Sequence, residues 1–124
     1  MLILTKYVAK HEFKPLTRFL SLADILDGAR KVAKGLAIET KPPQHLPGYR
    51  FFKVRIGQRD GARMIVFMVG SNSKVVPVLI RLKKDKVFGE NMAMNNSKVV
   101  SQIRNNLANI LTDIKNQNYE EFPL

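Results

Sequence analysis

Between Arg50 and Ile56 the chain alternates its side chains strictly. Phe52, Val54 and Ile56 fall on one face of an extended segment, and Phe51, Lys53 and Arg55 on the other. Gln58-Arg59-Asp60-Gly61 follows, with the Asp-Gly pair of a hairpin turn. Ala62 to Val69 is almost wholly apolar, as a buried central strand would be, and Gly70 to Ser73 supplies a second turn. Val75 to Leu82 reads as a third strand, in which Pro77 lacks a donor and so marks an edge or a bulge. Residues 1–10 are apolar and β-branched enough for one more strand, while 11–20 carry no clear pattern.

A different rhythm governs two other stretches. Leu22, Ile25, Leu26, Ala29, Val32, Ala33 and Leu36 recur at three- and four-residue intervals, which predicts a helix from Ser21 to Lys34. Ser21 can cap its first turn, with Asp24 at the capping-box position, and Gly35 is a stop signal. Val100, Ile103, Leu107, Ile110 and Ile114 form the stripe of a second helix, Ser97 to Lys115. Lys41 to Gly48, with three prolines and a glycine, must be a loop. Residues 83–96 read as a polar loop and 116–124 as a frayed acidic tail. The expected fold is α+β: an antiparallel meander of three strands plus an N-terminal strand, with both helices on one face, in two layers.

Length and composition narrow the picture. The 124 residues make one domain, 1–124, and 45% hydrophobic content suffices for one core. No apolar run approaches 18 residues, the N-terminus does not have the form of a signal peptide, and cysteine is absent. The expectation is a soluble, cytoplasmic chain with no membrane partner, no metal and no cofactor. His11 and His45 lack zinc-motif spacing, and a loop histidine such as His45 is more often inert than catalytic.

Charge adds the main functional clue. From Tyr49 to Lys86 ten residues are Lys or Arg and only Asp60 and Asp85 are acidic, so this stretch holds +8 of a net +11. An ordinary solvated sheet face would intersperse Glu and Asp among these cations, and the strands here have none. Such a surface attracts polyanions, nucleic acid above all. Lys53 and Arg55 share a side, and Arg63 lies across the hairpin. Arg50 and Arg59 mark the rims, and Lys83, Lys84 and Lys86 follow the third strand. Phe51 shares the side of Lys53 and can stack on a base or pack beneath a helix. A nuclease built on such cations needs no metal, because the 2′-OH of RNA can be the nucleophile. Arg and Lys then stabilise the phosphorane, and a lysine depressed by neighbouring cations can move the proton.

Gly48-Tyr-Arg-Phe-Phe-Lys-Val-Arg-Ile56, Gly61-Ala-Arg-Met-Ile-Val-Phe67 and Leu79-Ile-Arg-Leu-Lys-Lys-Asp85, in this order after a helix ending Lys34-Gly35-Leu36, resemble the RelE/ParE/HigB superfamily of toxins from bacterial toxin–antitoxin operons. The similarity spans about residues 20–115. It implies a RelE-like α+β fold and, for RelE- and HigB-like members, endoribonuclease cleavage of mRNA on the ribosome. Carried over, Lys53 and Arg55 match the basic pair of the first hairpin strand, Arg63 the arginine after the glycine turn, and Lys84 the basic residue ending the third strand. These four are the candidate catalytic residues. Arg50, Phe51, Arg59, Arg81, Lys83, Lys86, Phe88 and Asn91 are the candidate RNA contacts. Ribonucleases of this type often place Tyr or His after the last strand. Here that segment reads Lys86-Val-Phe-Gly-Glu-Asn-Met-Ala, with Glu90 and Asn91 as the nearest polar groups and Phe88 lacking a hydroxyl. The partners implied are mRNA, the ribosome and a cognate antitoxin with an acidic amphipathic segment. The alternatives are a non-catalytic nucleic-acid-binding module and a ParE-like inhibitor of DNA gyrase.

Overall fold

A computed structural model describes residues 1–41, 49–58, 61–69, 74–86, 88 and 96–124. Its centre is the predicted meander: β3 (Tyr49–Ile56), β4 (Ala62–Val69) and β5 (Val75–Leu82). β3 and β4 pair antiparallel from Tyr49↔Val69 to Ile56↔Ala62. The β4–β5 ladder slips once, with Ile65 opposite Leu79 but Val66 opposite Pro77, so Val78 is the extra residue of a bulge. Pro77 therefore marks a bulge in an interior strand, since β5 is paired on its other side too.

Around this meander the sheet is larger than the sequence suggested. β1 (Leu2–Thr5), β2 (Ile38–Thr40) and β6 (Tyr119–Phe122) complete six strands in the order β2-β3-β4-β5-β1-β6. β1 runs parallel to β5 and antiparallel to β6, which makes the sheet mixed. The expected strand over residues 1–10 stops at Thr5, whose hydroxyl accepts from the Val8 amide and opens α1 (Lys6–Val8). A π-helical turn (Ala9–Phe13) and a 3-10 turn (Lys14–Leu16) carry the chain on from there. The tail expected to fray instead returns as β6, pairing Thr5 with Tyr119 and Leu2 with Phe122.

α2 (Leu22–Ala33) begins as predicted, with the reciprocal Ser21–Asp24 capping box. The chain leaves the helix through Gly35, whose φ of 75° favours a residue without a Cβ. There the Gly35 amide donates to Val32 O and the Leu36 amide to Lys31 O, the paired bonds of a Schellman motif. Gly28 lets the helix lie close on the sheet: a Cβ there would collide with Ile56 Cγ2 and stand 2.9 Å from Met64 Cε. α2 thus covers the face carrying Val54, Ile56 and Met64.

α3 (Ser97–Lys115) has the predicted bounds and is capped by Asn96, whose side chain accepts from the Lys98 and Val99 amides. It packs with β5 and β1. Ala62 to Phe67 of β4 are buried without interruption, and neighbours on a strand face opposite ways, so both faces of the sheet centre are covered. The expected two-layer sandwich with one open face is corrected on this point. Among the described residues no helix is long and apolar enough to cross a membrane.

β1 ends before β5 does, and two side chains take its place on the β5 edge. The Ile80 amide donates to Glu12 Oε1 at 2.8 Å, and Asn106 Nδ2 donates to Val78 O at 2.8 Å. Asn106 also reaches Glu12 Oε2, and Arg81 forms an ion pair with Glu12 Oε1. Glu12 is 2% exposed. Burial pushes its carboxyl above the usual range, against the pull of Arg81, the Ile80 amide and Asn106. Among the described residues every buried side-chain nitrogen and oxygen has a partner. Glu12→Ala should cost about 3 kcal/mol in urea unfolding, because it strands a half-buried arginine and two buried donors. Removing both charges, as Glu12→Met with Arg81→Met, should cost less than the single change.

Candidate nucleic-acid interface

The β3–β4 register decides which cations meet. Arg55 stands directly opposite Arg63, and Lys53 stands between Ile38 of β2 and Ile65 of β4. All belong to the sheet face away from α2, as alternation from Val54 and Met64 requires. Lys53, Arg55 and Arg63 line one hollow of about 510 Å³, with Lys31, Leu36, Ala37, Ile38 and Val54. Arg55 and Arg63 also border a smaller hollow of about 130 Å³, and Lys83 joins them there. Among the described residues neither lining contains a carboxylate, a tyrosine or a histidine, and no acidic side chain forms an ion pair with Arg55 or Arg63.

Local structure holds these side chains in place. Lys31, from the last turn of α2, reaches the Arg55 carbonyl at 3.4 Å, which ties the helix end to the sheet margin. Arg63 is 8% exposed, so its stem is packed. Partial burial, and after it the nearby Arg63 charge, lower the pKa of Lys53. Both causes disfavour the ammonium, so a larger share of Lys53 is neutral than in an open lysine.

The other candidates divide. Lys83 joins the cluster, whereas Lys84 and Lys86 are exposed in the segment after β5. Phe51 is corrected: it is 1% exposed, its ring lies 5.8 Å from that of Phe67, and it cannot stack on a base. Arg50 is corrected too. It sits on the opposite face, above the Phe52 ring, and both its Nε and NH2 donate to Glu39. Arg81 continues the Arg55–Arg63 row by register, but Glu12 holds it and the Phe88 ring lies 4.7 Å from its guanidinium. Phe88 is therefore engaged by Arg81. Arg59, Glu90, Asn91 and His45 lie outside the described residues. His11 is exposed and rests against the Tyr7 ring. Sequence reasoning missed Lys31, Leu36 and Ile38. The edge strand that brings Ile38 in is three residues long, too short for a periodic signal.

Comparison of the chain with protein-family models, with characterised proteins and with solved structures gives no match.

Lys53 has a folded pKa below its unfolded one, so its contribution to stability falls as pH drops through the folded value. At neutral pH its charge opposes folding. Lys53→Met should therefore unfold at higher urea than the parent at pH 7, with the gap closing above the usual lysine range. Arg63→Met should raise the Lys53 pKa, read by NMR titration of the Lys53 side chain.

Proposed function

We propose that this protein is a metal-independent endoribonuclease toxin of the RelE/HigB-like kind, acting on mRNA at the ribosome to inhibit translation. The observation that carries the reading is the convergence of Lys53, Arg55 and Arg63 on one hollow whose described lining has no acid. A phosphodiester seated there would meet two guanidinium forks, whose planar donors match phosphate oxygens. Neutral Lys53 would accept the proton of the 2′-OH as its oxygen bonds to phosphorus. Arg55 and Arg63 would stabilise the charge gathering on the phosphorane. The bond from phosphorus to the 5′ oxygen then breaks, and a lysine ammonium returns a proton to that oxygen. Lys83, beside Arg55 and Arg63, is better placed for this than Lys84. The products are a 2′,3′-cyclic phosphate and a 5′-hydroxyl end. A cognate antitoxin with an acidic segment would neutralise the protein by covering the same cations.

One observation favours a second reading, a protein that binds RNA without cutting it. No tyrosine, histidine or carboxylate lines the hollow among the described residues, so proton transfer falls to lysine alone.

Primer extension on mRNA in a translating extract distinguishes the two. The parent should produce discrete cuts whose fragments carry 2′,3′-cyclic phosphate and 5′-hydroxyl ends. Lys53→Met should reduce the cleavage rate about 100-fold or more, the usual range for losing a proton-transfer group. Arg63→Met should weaken RNA binding and lower its salt dependence by roughly one unit in the log–log slope. Intact cleavage by Lys53→Met would eliminate the assigned role. Salt-dependent binding with no cuts would establish the second reading.

A further inference from the structure

Beside the cations, the same hollow has an apolar rim that the phosphate chemistry leaves unused. Leu36 is 70% exposed and Ile38 69%, more than any other large hydrophobic among the described residues. Both line the hollow with Lys53, Arg55 and Arg63. Neither sits on a loop free to fold away. The Schellman bonds at the end of α2 fix Leu36, and the β2–β3 ladder sets Ile38 beside Lys53. Two aliphatic side chains are thus held in water next to a cluster of positive charge.

We infer that Leu36 and Ile38 form a base seat, so that the hollow takes one unpaired nucleotide, its phosphate on the cations and its base on the aliphatic rim. This rests on the reading of the cation cluster as a phosphate site and adds a selectivity to it. A duplex offers the same phosphates, but its bases are stacked inside and cannot reach the rim. A single strand can splay a base out and cover it. Apolar side chains serve as platforms for extruded bases as aromatic ones do. Among the described residues the aromatic rings of this face are already engaged: Phe51 is buried against Phe67, half-buried Tyr49 stacks on Phe67, and Arg81 engages the Phe88 ring. An acidic, apolar peptide would also pair charge with grease. Two arginines directly opposed, with a lysine beside them, gather three cations in one hollow, which matches the regularly repeated phosphates of a nucleic-acid strand.

The test is equilibrium binding by fluorescence anisotropy of four labelled probes to the full chain. These are an eight-nucleotide RNA single strand with every 2′-OH methylated, so that it cannot be cut, and its duplex with a complementary strand. The other two are the same backbone with abasic sugars throughout, and an acidic peptide containing leucines. The parent should bind the single strand at least fivefold more tightly than the duplex or the abasic strand. The double substitution Leu36→Ser with Ile38→Ser removes only exposed side chains. It should bring the single strand down to the abasic affinity, about a five- to tenfold loss at the lower end of what one stacked base contributes, with the salt slope unchanged. Equal affinity of the parent for single strand and abasic strand, or no loss in the double variant, overturns the base seat while leaving the phosphate site intact. Binding of the peptide alone, with no RNA probe bound, overturns both.

Discussion

Arg55 and Arg63 face one another across the β3–β4 ladder, an arrangement that costs free energy in the absence of an anion. The hairpin holds it because the neighbouring pairs leave no choice. Val54 with Met64 and Ile56 with Ala62 are buried under α2, and Gly28 presses the helix onto them. A slip of one residue would turn Arg63 into that core and Met64 out of it. The apolar face therefore dictates the polar one. The convergence of cations is a by-product of the register that the core demands.

The rest of the molecule serves to make that sheet independent of its edges. β4 is buried on both faces, so the fold needs cover from two sides. α2 supplies one cover. At the outer margin of β5, Glu12 and Asn106 substitute side-chain groups for a missing strand, and Arg81 balances the buried carboxylate. This divides the arginines of one row by role. Arg81 belongs to the framework and is enclosed by Glu12 and Phe88, whereas Arg55 and Arg63 open onto the hollows.

Both long helices, the capping box and glycine stop of α2, the three central strands and the irregularity at Pro77, read as an edge or a bulge, were legible in the sequence, because each has a local signal. The capping box spans four residues, Ser21 to Asp24, and the alternation seven, Arg50 to Ile56. What the sequence hid depends on distant partners. β6 reads Tyr-Glu-Glu-Phe, without a buried residue in it, and only its pairing with β1 makes it a strand. Alternation placed Phe51 on the face of Lys53 correctly, but it cannot say how far cover from elsewhere extends along that face. The covered part of the face takes Phe51 and the open part keeps Arg55. Arg50 and Arg81 looked equivalent to the other cations because their acids, Glu39 and Glu12, lie 11 and 69 positions away. The signal that did survive was the Lys53–Arg55–Arg63 set, whose geometry follows from one hairpin.

The position of β1 has a consequence for how the chain comes to be folded. Its two neighbours in the sheet are β5 and β6, both later in the chain, so β1 is made before either strand that encloses it. During synthesis Leu2 to Thr5 wait for Val75 on one flank and for Tyr119 to Phe122 on the other. Closing loops of that span is slow compared with forming the central hairpins. Throughout that interval a strand whose residues are all destined for burial keeps its backbone unpaired, a template for other nascent chains. Glu120 and Glu121, carried by the strand that finally seals it, then leave charge on the outermost margin, where like molecules would otherwise join.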